Sequence, residues 1–236
     1  MQTVILAGGL ATRLHPATLT VPKSMVDVGG KPFLAHQLEL LRRHGYRRVV
    51  LCVGHMHDVI EMHFGDGSGY GMSIQYSYDG PTLLGTGGAL VQANELLDDQ
   101  FFVINGDSYL LLPYRTIAEA FRRSGRAGLM VVYRNNSRFD RSNVAVRNGL
   151  VSVYEQHGEK AKGCHLIDAG LLAFRKDSIL EGQLSGTLDL GDILARLAAQ
   201  KELAAFQTFQ RFYEIGSPSG LAELRSVLGD FGELDE

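Results

Sequence analysis

The sequence has few cysteines, little excess charge and no long apolar segment, and each shortage excludes a class of protein. Its two cysteines, Cys52 and Cys164, form neither a zinc-site spacing nor a disulfide framework, which suits a reducing cytoplasm. A net charge of −3 over 236 residues provides no general basic field, so we expect no nucleic acid and no anionic membrane as partner. No apolar run approaches the roughly 20 residues of a membrane span.

The composition and the first residues agree with an ordinary globular protein. Hydrophobic residues make up 45% of the chain and charged residues 21%, which excludes a disordered or fibrous protein. Met1–Ala7 has no basic segment and is too short for the apolar part of a secretory signal. We therefore expect a cytoplasmic protein with a single domain over residues 1–236.

Short apolar runs alternate with amphipathic stretches in the first part of the chain. Val4–Ala7, Arg48–Val53 and Phe101–Ile104 have the composition of buried strands, whereas Phe33–Arg43 has apolar residues at helical spacing. The alternation continues with predicted helices at 59–64 and 117–123 and a predicted strand at 129–133. This order predicts an α/β fold with a mostly parallel sheet and helices on both faces.

The pattern changes after about residue 134. Two alternating segments, Asn143–Arg147 and Leu150–Glu155, flank Asn148-Gly149, which predicts a hairpin. Strands are predicted further on at 171–174 and 203–209, and helices at 188–199 and 221–228. We therefore expect one half at about 1–134, a second at about 135–228, and an acidic, frayed tail at 229–236.

The most informative segment begins where the first predicted strand ends. Gly8 and Gly9 follow that strand, and glycines there let backbone N–H groups approach a phosphate. Arg13 and Lys23 bring two cations to the same region, at the edge of the sheet where open α/β folds bind ligands. The alternative to a phosphate site is a plain strand-to-helix turn with two cations on the surface. The combination favours a phosphate site, although it matches neither the Walker loop nor the dinucleotide fingerprint.

Two further segments carry candidate functional residues. The strand at 101–104 runs into Asn105-Gly106-Asp107, which places a carboxylate at the ligand edge of the sheet unless Asp107 only caps a turn. Carboxylates together with substrate phosphates are the ligands that Mg²⁺ prefers. The second segment, Gly85–Ala89, predicts the start of a helix, with Thr86 able to cap it.

Together these motifs resemble the signature of the sugar-nucleotidyltransferase family, also called nucleotide-sugar pyrophosphorylases. The family has G-G-x-G-T-R-L, then P-K and K-P, and later G-T-(A/G)-G-A, a strand followed by G-D, V-x-E-K, N-A-G and D-(I/V)-G-(T/S)-P. The resemblance covers nearly the whole chain and implies a Rossmann-like mixed sheet, the nucleotide-diphospho-sugar transferase fold, with the nucleotide bound by the first half and the sugar by the second. The matching residues are Gly8, Gly9, Thr12, Arg13, Leu14, Pro22, Lys23, Lys31, Pro32, 85–89, 106–107, Glu155, 168–170 and 214–218.

The resemblance assigns a role to each matching position. It implies Arg13, Lys23 and Asp107 as catalytic residues, and Asp107 with Glu214 as ligands of Mg²⁺. It also implies that Gly85 contacts the nucleobase through its backbone. The nucleotide would be bound by Leu6, Ala7, Gly8, Gly9, Thr12, Arg13, Gly85, Thr86 and Gly106, and the sugar by Asn143, Glu155, Asp168 and Gly170.

Four positions depart from the family pattern. Ala11 replaces a glycine, Gln156 replaces the lysine after Glu155, Asp168 replaces asparagine and Glu214 replaces aspartate. The missing lysine leaves phosphate binding to another cation, such as Lys160 or Lys162. The departures at Ala11, Gln156 and Glu214 favour one rival to an enzyme, a sensor that binds a nucleotide sugar without turnover. The presence of Arg13, Lys23 and Asp107 favours the enzyme.

The expected reaction joins an NTP and a sugar 1-phosphate into an NDP-sugar and pyrophosphate. The chain most resembles bacterial guanylyltransferases of D-glycero-D-manno-heptose 1-phosphate, which serve surface-polysaccharide synthesis. GTP is therefore the favoured nucleotide. Uridylyl-, thymidylyl- and mannose-1-phosphate guanylyltransferases of the same family remain alternatives, and a homodimer is possible.

Overall fold

A nine-stranded sheet runs through the protein in this computed structural model, which describes residues 1–9, 14, 18–138, 141–155, 163–181 and 187–232. The strands are β1 Gln2–Leu6, β2 Asp27–Val28, β3 Lys31–Pro32, β4 Arg48–Val53, β5 Ser73–Tyr78, β6 Gln100–Asn105, β7 Ser108–Tyr109, β8 Gly128–Arg134, β9 Val144–Arg147, β10 Leu150–Tyr154, β11 Leu166–Arg175, β12 Leu203–Thr208 and β13 Tyr213–Glu214. The helices are α1 Phe33–Arg43, α2 His57–Phe64, α3 Gly85–Gln92, α4 Tyr114–Ser124, α5 Lys176–Leu180, α6 Leu190–Ala199 and α7 Pro218–Gly232.

The large sheet is mixed, with the order β5-β4-β1-β6-β11-β8-β12-β10-β9. β5, β4, β1 and β6 are parallel to one another, as are β8 and β12. β11 is antiparallel to both β6 and β8, so a strand from the second half of the chain lies between two strands of the first. The predicted halves therefore share one sheet.

Helices cover both faces of the sheet, as the alternation of elements predicts. Consecutive side chains of a strand point to opposite faces. Ile5 of β1 accordingly belongs to a buried cluster with α1, α2 and α4, while Val4 belongs to a cluster with α3, α5 and α6. A third, smaller cluster joins α7 to β2 and β7 through Leu221, Leu224 and Ile215.

Most predicted elements agree with the structure, and three differ clearly. α1 and β4 have the predicted bounds. β5 has no counterpart among the predictions, because its sequence SIQYSY mixes polar and aromatic residues at the edge of the sheet. β11 is ten residues long, longer than the predicted 171–174. α7 reaches Gly232, so the helix extends four residues into the segment predicted as a frayed tail.

Candidate active site

The site begins where β1 and β6 end side by side. Gly106 follows β6 and donates its N–H to Leu6 O at 3.0 Å. A Cβ at Gly106 would overlap Leu6 O and lie 3.1 Å from Ala7 Cα, so only glycine fits this close approach. Gly8 is less confined, because its Cβ would lie 3.2 Å from Gly54 N at the end of β4, a tight contact but not an overlap. Packing between strand ends therefore requires glycine at position 106 and favours it at position 8.

Lys23 and Asp107 form an ion pair at this edge of the sheet. Lys23 lies in a 3₁₀ turn, Lys23–Met25, and its Nζ donates to Asp107 Oδ2 at 2.6 Å. The two side chains are 17% and 28% exposed, so they are largely shielded from water yet reachable from a cavity. The structure therefore joins two predicted catalytic residues that are 84 positions apart in sequence.

Glu214 reaches the same place from the other end of the chain. β13 pairs with β7 so that Glu214 lies opposite Ser108, and Ile215 N–H donates to Asp107 O at 2.9 Å. A Cβ at Gly216 would lie 3.2 Å from Lys23 Nζ and 3.3 Å from Asp107 Oδ2, and it would overlap Glu214 Oε2. Three predicted functional side chains therefore converge around Gly216.

Local hydrogen bonds fix the Glu214 carboxylate. Gly216 N–H donates to Oε2, and Ser217 Oγ donates to Oε1 at 2.8 Å. Ser217 Oγ also accepts from Gly220 N–H at 3.1 Å in the first turn of α7. Ser217 therefore caps the start of α7 and orients the Glu214 carboxylate at the same time.

The donor set around Gly216 fits Mg²⁺. Asp107 and Glu214 provide hard oxygen ligands, and Mg²⁺ is commonly held by one or two carboxylates while substrate phosphates and water complete its coordination. Within the described ranges, no group of three or more His, Cys, Asp or Glu residues could hold a metal by itself. A site of this kind would bind its ion together with the substrate.

Two cavities meet at this centre. The first, of about 380 Å³, contains five of the nine residues predicted for the nucleotide, and Asn105, Ser24 and Gly216 line it in addition. Gly9 faces this open space, and apart from its chain neighbours no atom of the described residues lies within 4 Å of a Cβ placed there. Its described lining consists of Leu6, Ala7, Gly9, Lys23, Ser24, Thr86, Asn105, Gly106, Asp107 and Gly216.

Five of those nine predicted residues line the cavity, namely Leu6, Ala7, Gly9, Thr86 and Gly106. Gly8 and Gly85 are absent from its described lining. Thr12 and Arg13 lie outside the residues that the structure describes, as do Ala11, Gln156, Lys160 and Lys162.

Thr86 does not cap α3 as its sequence suggests. It lies inside α3, where its Oγ1 accepts from Leu190 N–H at 2.9 Å and donates to Asp189 Oδ1 at 3.2 Å. Gly85 has a φ of +76°, and a Cβ there would overlap Leu188 O. The Gly-Thr-Gly-Gly segment therefore joins the start of α3 to the start of α6.

The second cavity, of about 570 Å³, shares Asn105 and Asp107 with the first. It includes the predicted sugar residues Asp168 and Gly170. Gly170 has a φ of +87° in an irregular part of β11, and a Cβ there would lie 3.1 Å from Ser108 Cβ. The close approach of these two segments therefore requires small residues at both positions 108 and 170.

Asp168 lies at the wall of the second cavity and is partly buried. Burial raises the pKa of its carboxyl to about 6, although Gly170 N–H donates to Oδ1 at 2.8 Å and opposes the rise. An ionised carboxylate only accepts hydrogen bonds, whereas the protonated form also donates one. Asp168 can therefore present either pattern near neutral pH.

The other two predicted sugar residues are placed elsewhere. Glu155 and Asn143 are absent from the described lining of the second cavity and lie together, with Glu155 N–H donating to Asn143 O at 3.0 Å. Asn143 Oδ1 is buried and accepts no hydrogen bond from the part of the chain that the structure describes.

Several residues of the second cavity have no counterpart among the predictions. They are Arg138, Arg211, Phe212, Ser219 and Glu223. The sequence offers only a weak signal for them: Phe212 and Ser219 lie on either side of the matched segment 214–218, whereas Arg138, Arg211 and Glu223 belong to no motif.

Comparisons with known proteins agree with this geometry. Residues 2–229 match the family model described as nucleotidyl transferase. The chain is 31% identical over 231 residues to D-glycero-alpha-D-manno-heptose 1-phosphate guanylyltransferase of Aneurinibacillus thermoaerophilus, covering 97% of this chain and 98% of that protein. It is 33% identical over 224 residues to mannose-1-phosphate guanylyltransferase catalytic subunit beta of Danio rerio, covering 92% of this chain but only 62% of that protein.

A solved structure is similar over the same length. HddC from Yersinia pseudotuberculosis, crystallised with GMP-PN, has a TM-score of 0.78 and 26% identity, covering 96% of this chain and 99% of that one.

Proposed function

Because the chain belongs to the nucleotidyl transferase family, we propose that it transfers a nucleotidyl group from an NTP to a sugar 1-phosphate and releases pyrophosphate. One observation carries the proposal: Lys23, Asp107 and Glu214 converge where the two cavities meet. A nucleotide in the first cavity and a sugar in the second would bring their phosphates together there. Both substrates are anions, so a cation and metal-binding carboxylates are the groups the reaction needs at that point.

The reaction needs positioning and charge neutralisation more than proton transfer. A sugar 1-phosphate is mostly a dianion at neutral pH, since its second pKa is about 6. One of its oxygens forms a bond to the α-phosphorus while the bond from that phosphorus to the β-phosphate bridging oxygen breaks, and pyrophosphate leaves with the electron pair. Holding the two reactants in line supplies much of the rate.

Each residue of the centre has a role in that scheme. Lys23 would bind a phosphate oxygen at the junction of the cavities, since its ammonium is already fixed there. Asp107 and Glu214 would hold Mg²⁺, which when bound supplies further positive charge to the phosphates. Arg13, which the sequence predicts as a second cation, would bind the departing pyrophosphate.

The proposed substrates are GTP and D-glycero-D-manno-heptose 1-phosphate. This rests on the relative from Aneurinibacillus thermoaerophilus, which matches over nearly its full length, and on the similarity to HddC, crystallised with a guanine nucleotide analogue. Mannose 1-phosphate is the second candidate sugar because of the relative from Danio rerio. The proposal also includes a role in surface-polysaccharide synthesis, a homodimer and a cytoplasmic location. None of the described helices is long and apolar enough to cross a membrane.

A substrate matrix tests the proposal. Four NTPs are paired with heptose, mannose and glucose 1-phosphates in Mg²⁺, and steady-state pyrophosphate release is measured. We expect multiple turnovers, fastest with GTP and the heptose 1-phosphate. Binding of a nucleotide sugar without any pyrophosphate release would support the sensor instead, and faster turnover with another pair would reassign the substrates.

A further inference from the structure

An ion pair on the wall of the second cavity has no part in the scheme above. Arg211 Nη2 donates to Glu223 Oε2 at 3.0 Å, and both residues line the cavity. Their side chains are 21% and 45% exposed, so the pair is partly shielded from water. An ion pair in such a position can contact whatever fills the cavity.

The guanidinium of Arg211 is fixed before any substrate arrives. Its Nη1 donates to Phe212 O, and its Cζ lies 5.0 Å from the centre of the Phe212 ring and 5.3 Å from that of Tyr213. A planar, stacked guanidinium loses little conformational freedom when it forms further hydrogen bonds. Arg211 is therefore preorganised for recognition.

The position of the pair relative to the carboxylate centre follows from α7 and β13. A Cβ at Gly220 would overlap Glu214 O, so the first turn of α7 packs directly on Glu214. Glu223 lies three residues after Gly220 and thus on the same side of the helix. Arg211 and Glu223 line the second cavity and are absent from the described lining of the first, whereas Asn105 and Asp107 line both. The pair therefore lies off the junction of the two cavities, where the proposed function places the phosphates.

The second cavity has charges of both signs in its described lining, and Arg211 and Glu223 offset each other within it. Such a pair suits neighbouring hydroxyls, because the guanidinium donates and the carboxylate accepts hydrogen bonds.

We propose that Arg211 and Glu223 recognise the exocyclic hydroxyls of the sugar 1-phosphate and so select the length of its carbon chain. This inference rests on the proposed function and deepens it. A manno-heptose has the same ring as mannose and one more exocyclic CHOH unit, so the two sugar 1-phosphates differ at the end that the pair faces.

The experiment compares the heptose 1-phosphate with mannose 1-phosphate, each with GTP, in four proteins. They are the wild type, Arg211→Lys, Glu223→Gln and the control Glu119→Gln, which breaks an exposed Arg115–Glu119 ion pair of 3.3 Å on α4. In both cavity variants we expect the heptose-over-mannose ratio of kcat/KM to fall about tenfold or more, as loss of a hydrogen bond to a charged group predicts. The KM for GTP stays within about twofold of wild type, and the control changes neither value.

The outcomes separate the inference from the function on which it rests. A purely structural pair would lower kcat/KM for both sugars equally and leave their ratio unchanged, which would overturn the inference alone. A wild type that prefers mannose 1-phosphate would also overturn it. A wild type that releases no pyrophosphate with any substrate pair would overturn the proposed function, and this inference with it.

Discussion

Lys23 Nζ lies 2.6 Å from Asp107 Oδ2; Lys23 lines the first cavity and Asp107 lines both. We predict that Lys23→Ala lowers turnover by about 10²-fold or more, as removal of an electrostatic contact to a transition state typically does. The melting temperature should change little, because the lysine lies at the cavity edge and its removal empties no core. Steady-state pyrophosphate release and thermal unfolding measure the two effects.

The control for this variant is Arg115→Ala, which removes a cation whose side chain is 91% exposed. It should keep wild-type turnover. Equal rates for Lys23→Ala and this control would contradict the role of Lys23 at the phosphates.

The raised pKa of Asp168 predicts that the stability of the fold depends on pH. Its pKa of about 6 in the folded protein lies above the 3.8 of an ordinary carboxyl, so the folded state disfavours its ionised form. The resulting loss of unfolding free energy is absent below about pH 3.8, grows as the pH rises towards 6 and is complete above it. Asp168→Asn keeps an oxygen for Gly170 N–H and should stabilise the fold at pH 7.5, on the order of 1 kcal/mol or more.

Urea denaturation of wild type and Asp168→Asn at pH 4.5 and 7.5 tests this sign. The gain in unfolding free energy should be clearly smaller at pH 4.5. A gain that is the same at both pH values, or larger in acid, would show that Asp168 is not held in a desolvated position.

At the scale of elements, the junction of α3 and α6 depends on one hydroxyl. Thr86 Oγ1 accepts from Leu190 N–H, so Thr86→Val leaves that backbone donor at the start of α6 without its partner. We predict a loss of about 1–2 kcal/mol in unfolding free energy, typical of a lost helix cap. Denaturant unfolding measures it.

Thr116→Val is the matched control, since Thr116 is an exposed residue within α4. It should change the unfolding free energy by less than about 0.5 kcal/mol. If both valine variants have the same stability, the hydroxyl of Thr86 does not hold the two helices together.

The long elements were predictable and the short ones were not. α1 has its apolar residues at helical spacing and ends just before Gly45, whose φ is +83°, so both its face and its end are readable. β7 and β13 have two residues each, and they form strands only because they pair with each other across about a hundred positions of sequence. No local pattern encodes such a pairing.

The whole molecule should unfold as one unit, because β11 from the second half completes the sheet between β6 and β8 of the first. We predict coincident urea transitions by far-UV circular dichroism and by tyrosine fluorescence, the natural probe in a chain with nine tyrosines and no tryptophan. Two separated transitions would show that the halves are independent units.

In the site, too, residues within a local motif could be predicted, whereas contacts between distant segments could not. Gly106, Asp107 and Glu214 were readable because each follows an apolar run and matches a motif. The contact of Lys23 with Asp107, the packing role of Gly8 and the placement of Glu155 away from the second cavity depend on how distant segments meet. Arg211 and Glu223 have no motif at all, and only the fold brings them together.

The central claim is that Asp107 and Glu214 form one metal-binding centre for nucleotidyl transfer. Its most direct test is the Mg²⁺ dependence of pyrophosphate release by wild type, Asp107→Asn, Glu214→Gln and Glu214→Asp. Removing the charge of Asp107 should cost about 10²-fold or more in rate. Glu214→Gln should need more Mg²⁺ for its half-maximal rate, while Glu214→Asp keeps the charge and substantial activity. Four superimposable titration curves would contradict the claim.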